Sequence, residues 1–83
     1  MTKEQVFEIV KENIVEFLPD LSKEGIKIEQ SLRDLGANSI DRMDIIVQSM
    51  ENIGIKVPMV EFGNLRNIQG LVDLLYDKKM ELG

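Results

Sequence analysis

Two residue types are missing from this chain altogether: cysteine and histidine. Without them there is no thiol nucleophile, no imidazole base and no thiolate-and-imidazole zinc site, so neither a self-sufficient enzyme nor a metal centre is expected. The lack of cysteine also fits a reducing compartment. The opening residues MTKEQVFEIV carry acids and no apolar signal core. No uninterrupted apolar run approaches bilayer length either, so the chain reads as cytoplasmic, with no membrane segment. Positive charge is scarce as well: 10 Lys plus Arg stand against 15 Asp plus Glu, a formal net charge of −5. A nucleic-acid backbone would be repelled, and basic partner surfaces are the natural complement.

What remains is enough for one small domain over 1–83. Hydrophobic residues make up 43% and charged residues 30% of the 83 positions, which suits a two-layer helical core too thin for a large buried pocket. Val6, Phe7, Val10, Ile14, Phe17 and Leu18 recur at three-and-four spacing, predicting a first helix over Thr2 to Leu18 that ends before Pro19. Its other side carries Glu4, Glu8, Glu12 and Glu16, read as a solvated face. Residues 19–38 form a long connection with the apolar anchors Leu21, Ile26, Ile28, Leu32 and Leu35, which argue that it packs down. The IKI at Ile26–Ile28 has no antiparallel mate and is assigned to loop. A second helix, Ser39 to Ile53, carries Ile40, Met43, Ile46, Val47, Met50 and Ile53 as its inward stripe, with Gly54 as a left-handed cap. Ile53, Ile55 and Val57 alternate like a strand, yet Pro58 favours an extended link. Residues 59–65 suit one short turn of helix. A last helix runs from about Asn67, its cap, to Met80, with Ile68, Leu71, Val72 and Leu75 facing inward. The expected fold is all-α: a small bundle of three main helices plus one short helix, with a long loop between helices one and two.

The stretch LRDLGANSIDRMDII, Leu32 to Ile46, sets a serine at the start of the second helix. If Ser39 were the N-cap, Arg42 would fall at N3, a cation at the positive end of the helix dipole. Asn38 fits better, because it puts Asp41 at N3 and Ser39 at N1 with a hydroxyl the backbone does not need. Gly36 and Ala37 are small and would leave the approach to that hydroxyl open. On these residues alone, a displayed modification site and an ordinary helix start both stand.

The same stretch resembles the modification-site segment of acyl carrier proteins. In that family, leucine-glycine, a small residue, aspartate, serine and then leucine or isoleucine frame a serine that bears 4′-phosphopantetheine. The resemblance runs through nearly the whole chain, including SLRDLG ahead of the site, the GIKVP exit from helix two and the final helix. It implies that Ser39 is modified by a phosphopantetheinyl transferase using coenzyme A, and that the arm's thiol carries acyl groups as thioesters. Asn38 stands where aspartate is commonest, keeping the cap and losing a charge. Helix two bears Asp41, Asp44 and Glu51 against Arg42, less acidic than is usual in fatty-acid carriers. With VPMVEFGNLRNIQGLVDLLYDKK, it more closely resembles the free-standing donor carriers of polyketide β-branching cassettes. That likeness implies an acyltransferase, a decarboxylating ketosynthase-like enzyme that turns malonyl into acetyl, and a hydroxymethylglutaryl-CoA (HMG-CoA) synthase-like acceptor of the acetyl. It also implies a monomeric carrier.

Candidate docking residues are those beside the serine, Asp41, Arg42, Met43 and Asp44, together with Met59 and Val60, which stand where fatty-acid carriers are often acidic. Met43 and Met50 read more readily as core, and Met59 and Val60 equally as packing of the short helix. Carriers of fatty-acid or other polyketide and nonribosomal pathways are alternatives. So is an unmodified acidic helical module that only binds proteins. Asp41 and Asp44 lack the companions of a catalytic carboxylate pair, and DRMDIIVQSMEN lacks the glycine and oxygen spacing of a calcium loop.

Overall fold

The first helix begins where a side chain takes over an unpaired backbone donor. In the computed structural model, which describes residues 1–82, the Thr2 hydroxyl accepts the Gln5 N–H at 3.1 Å and the Gln5 side chain accepts the Thr2 N–H at 2.7 Å. This reciprocal capping box starts α1, Lys3–Phe17, and the expected end residues Thr2 and Leu18 are its caps. Val6, Val10 and Ile14 are buried, while Phe7, Phe17 and Leu18 pack on the core's edge. Asn13 is buried among them. The glutamate row is less bare than expected: Glu8 pairs with Lys11 and Lys23, and Glu12 with Lys23.

The connection after α1 packs through the anchors expected of it. Ile26 and Leu32 are buried, and Leu21, Ile28 and Leu35 lie against the core. It holds a 3₁₀ turn, Lys23–Gly25, that periodicity did not suggest. Ile26–Ile28 is not a strand. Instead, the Ile28 and Gln30 carbonyls accept the N–H groups of Gln69 and Ile68, both at 2.8 Å. Two unpaired donors of the last helix are thereby satisfied by the loop.

SLRDLGA closes with Schellman-type hydrogen bonds. Ala37 N–H donates to the Leu32 carbonyl and Gly36 N–H to that of Arg33, both at 3.0 Å, with Gly36 at φ +98°. Leu32 and Ala37, the two ends of the motif, are both buried. Ala37 is therefore small because the core covers it, which corrects its assignment to an open approach. Gly36 does face space: a Cβ there would touch nothing within 4 Å.

The next helix, α2, is Ser39–Ile53, and its inward face differs from the expected one. Ile45, Ile46, Ser49, Met50 and Ile53 are buried, whereas Ile40, Met43 and Val47 are 68%, 51% and 38% exposed. The cause lies on α1: Asn13 Nδ2 donates to Ser49 Oγ at 3.1 Å and to Asn52 Oδ1 at 3.0 Å. A hydrogen-bonded partner makes a buried serine tolerable, so the helix turns its Ser49 side inward and leaves part of its apolar arc outside.

Gly54, at φ +85°, ends α2 as expected, with Gly54 and Ile55 N–H groups donating to the Met50 carbonyl. Ile55 and Val57 are buried in the extended link, and a short 3₁₀ turn follows at Met59–Phe62. Asn67 Oδ1 accepts the Gly70 N–H at 3.0 Å, capping the third helix, α3, Ile68–Leu82. Ile68, Leu71, Val72 and Leu75 are buried as expected. The helix α1 packs against both α2 and α3, but α2 and α3 do not pack closely on each other. That gap holds the site.

Candidate functional site

The Asn38 side chain starts α2. Its Oδ1 accepts the Asp41 N–H at 2.8 Å, and Asp41 Oδ2 accepts the Asn38 N–H at 3.4 Å, so Asp41 is spent partly on the cap. Ser39 is left at N1, exposed, and its hydroxyl enters none of the side-chain hydrogen bonds among the described residues. Among the described residues no side-chain base is hydrogen-bonded to it. Ser39, Arg42, Met43 and Ile46 follow three-and-four spacing, so they share one side of the helix.

That side borders an open groove of about 660 Å³ between α2, the Met59–Phe62 turn, the start of α3 and the loop around Arg33. Leu32, Ile46, Phe62 and Leu71 give it an apolar lining, and Arg33, Arg42 and Arg66 give it positive charge. Of the expected docking residues, Arg42, Met43 and Met59 line the groove with Ser39. Asp44 is exposed but does not line it, and Val60, 83% exposed, lies outside it on the same short turn as Met59. The reading of Met43 as core is corrected, because it is half exposed on the groove side of α2. Met50 is core, as read. Glu61, beside Val60, is tied to Lys78 of α3 at 3.3 Å, and this hydrogen bond holds the Lys78 ammonium above its ordinary 10.5. The turn that presents Met59 and Val60 is thus braced from α3.

Sequence reasoning missed Arg33 and Arg66 as neighbours of the serine. They come from separate segments, so no spacing rule links them. Among the described residues no carboxylate cluster is arranged to hold a metal, and no helix is long and apolar enough to cross a membrane.

Residues 8–75, from within α1 to the middle of α3, match the family described as "PP-binding: Phosphopantetheine attachment site". The chain belongs to the acyl carrier protein family. Its relatives agree: the carrier is 40% identical over 78 residues to the polyketide biosynthesis acyl-carrier-protein AcpK of Bacillus subtilis (strain 168), covering 94% of this chain and 95% of that one. It is 33% identical over 69 residues to an acyl carrier protein of Campylobacter hominis, covering 82% and 86%. Its fold superposes with TM-score 0.87 and 36% identity on a chain from the crystal structure of the curacin biosynthetic pathway HMG synthase in complex with acetyl donor-ACP. That match covers 94% of this carrier and all of the other chain. The family's cofactor is phosphopantetheine, and the open groove beside an uncommitted, exposed hydroxyl has room and a mixed polar and apolar lining for such a flexible arm.

Proposed function

We propose that Ser39 bears the 4′-phosphopantetheine, and that this carrier donates acetyl, formed from malonyl, to an HMG-CoA synthase-like enzyme in polyketide β-branching. The observation that carries the attachment is the state of the serine. Ser49 is fully buried under Asn13, and the Ser31 hydroxyl accepts the Asp34 N–H at 2.9 Å. Ser22 precedes the Lys23–Gly25 turn, away from the groove. Ser39 alone combines exposure, an unengaged hydroxyl and the groove's edge. Once attached, the arm supplies a terminal thiol on which an acyl group rides as a thioester. The chain itself presents an oxygen and later a cargo, acting through proximity rather than transition-state stabilisation. It is therefore a carrier and not an enzyme, and the phosphopantetheinyl transferase supplies the base and metal.

The donor role rests on the polyketide relative and on the neighbour that is bound to an HMG synthase. The same cassette calls for an acyltransferase and a decarboxylating ketosynthase-like enzyme as further partners. Partners meet the carrier around Ser39, through Arg42, Met43, Met59 and Val60, with Asp41 and Asp44 as the acidic contacts. Exposed Ile40 and Val47 extend that face. Charge there sets encounter and orientation, and apolar burial supplies the rest. We read residues 1–83 as one monomeric, cytoplasmic domain.

Intact mass after incubation with coenzyme A and a broad-specificity transferase tests the attachment: wild type gains one phosphopantetheine and Ser39→Ala gains none. A loaded alanine variant would place the attachment at another residue, and an unmodified wild type would leave the protein-binding module as the reading. Docking is tested by titrating loaded carrier with the synthase-like enzyme, comparing Asp44→Lys, Val60→Asp and Glu8→Lys after each is seen to fold. Binding should weaken with the first two and hold with the third; the reverse result puts the contact on α1.

A further inference from the structure

The chain carries three arginines, and all of them, Arg33, Arg42 and Arg66, line the one groove that Ser39 borders. None of the seven lysines does. The groove's ionisable lining is therefore three guanidinium groups against the single carboxylate of Asp34, in a molecule whose formal net charge is −5.

Elsewhere on the surface four of the seven lysines, all but Lys27, Lys56 and Lys79, find acids. Lys3 pairs with Asp73 at 3.0 Å, Lys11 with Glu8 at 3.2 Å, Lys23 with Glu8 and Glu12, and Lys78 with Glu61 and Glu81. The arginines do not: among the described residues none is within ion-pair distance of a carboxylate, although Asp34, Asp41 and Asp44 are close in sequence. Three unpaired guanidinium groups gathered at one groove of an acidic protein amount to a site prepared for an anion. The planar, forked guanidinium suits a phosphate better than an ammonium does.

We infer that Arg42, with Arg33 and Arg66, holds the phosphodiester created by attachment at Ser39, so that the arm starts along the groove instead of leaving directly for solvent. This rests on Ser39 being the attachment residue. Arg42 follows Ser39 by three positions, the spacing that makes neighbours on a helix surface, and both border the groove. The anion is fixed to the serine oxygen, so its local concentration is high and even a weak guanidinium contact is populated. Leu32, Ile46, Phe62 and Leu71 line the same groove and offer the rest of the arm an apolar surface. The three residues are thus positioning residues for the arm, not groups that react.

The test compares apo and holo protein for wild type, Arg42→Gln, the triple Arg33→Gln/Arg42→Gln/Arg66→Gln and a charge-matched control, Lys27→Gln/Lys56→Gln/Lys79→Gln. Each is loaded with the same transferase and checked by intact mass. Two readouts follow: the ³¹P line of the holo phosphodiester with the arginine Nε–H signals, and the Tm difference between holo and apo. Wild type should show a broadened ³¹P line, an Arg42 Nε–H shift on loading and a holo Tm about 4 °C above apo. Salt raised to about 500 mM should shrink these effects. Arg42→Gln should lose most of the Tm gain and narrow the line, the triple should abolish both, and the lysine control should behave as wild type. If the triple resists loading, Arg42→Gln decides the comparison. A wild type that gains no mass overturns the attachment reading and this inference together. A loaded wild type whose ³¹P line and Tm difference match those of Arg42→Gln, or a lysine control that loses them too, overturns the arginine assignment alone.

Discussion

Replacing Asn38 with alanine removes one acceptor at the point where the chain turns into α2, beside Ser39. The lost contact is the 2.8 Å bond from the Asp41 N–H to Asn38 Oδ1. Its companion, from the Asn38 N–H to Asp41 Oδ2, survives because its donor is backbone, but at 3.4 Å it contributes little. Asn38 is exposed, so water replaces part of what is lost. The cost then sits mid-range for a cap, about 1 kcal/mol. For a domain of this size that is a fall of about 4–8 °C in Tm. With a urea slope of about 1 kcal/mol/M it is a midpoint shift of about 1 M. Asn38→Asp keeps the acceptor and adds a favourable charge at the helix N-terminus, offset by the Asp41 carboxylate three residues on, for a net change within about 0.5 kcal/mol. Ser39→Ala should also stay within about 0.5 kcal/mol, since its hydroxyl serves no backbone donor. Urea unfolding of the apo proteins, followed by helical circular dichroism, measures all four. Equal midpoints for wild type, Asn38→Ala and Asn38→Asp would refute the cap, and a loss on Ser39→Ala would mean that the serine is engaged in the fold.

The inward face of α2 is tested by Ile45→Ala, expected to cost about 3 kcal/mol for a fully buried side chain, against Ile40→Ala, expected to change stability by less than about 0.5 kcal/mol. Similar losses from the two would restore the stripe read from periodicity. Gly54→Ala should cost about 1 kcal/mol through its φ of +85° rather than through collision, since a Cβ there meets only Lys79 Nζ at 3.9 Å. Denaturation midpoints decide both. For Glu8, hydrogen bonding to Lys11 and the charges of Lys11 and Lys23 hold the carboxyl below its ordinary 4.5, against the opposing effect of desolvation. A folded-state value below the unfolded one means stability that is present above pH 4.5 and is lost as the pH falls through the lower folded value. The Tm difference between wild type and Glu8→Gln should therefore shrink on acidification and shrink in high salt. A difference that is constant from about pH 6 to about pH 3 would show that the Lys11 and Lys23 contacts carry no such linkage.

Local rules were enough to locate the helices and their ends. Asn38 with Asp41, Gly54 and Asn67 act over three to five residues, so sequence alone carries their meaning, and the free N1 position of Ser39 follows from the same spacing. The Thr2–Gln5 box acts over the same short range. The anchors of the long loop were visible too, since buried leucines and isoleucines need no partner of a particular type. The face of α2 was decided elsewhere. Its apolar arc is wider than one contact can cover, and burial of Ser49 depends on Asn13, 36 residues away, providing a donor. The groove is of the same kind: Arg33, Ser39, Met59 and Arg66 come from different segments and meet only in the tertiary structure, where α1 packs on both α2 and α3. Periodicity measures how apolar residues recur within one segment. It carries no information about which neighbour covers them, and that is settled by packing between segments.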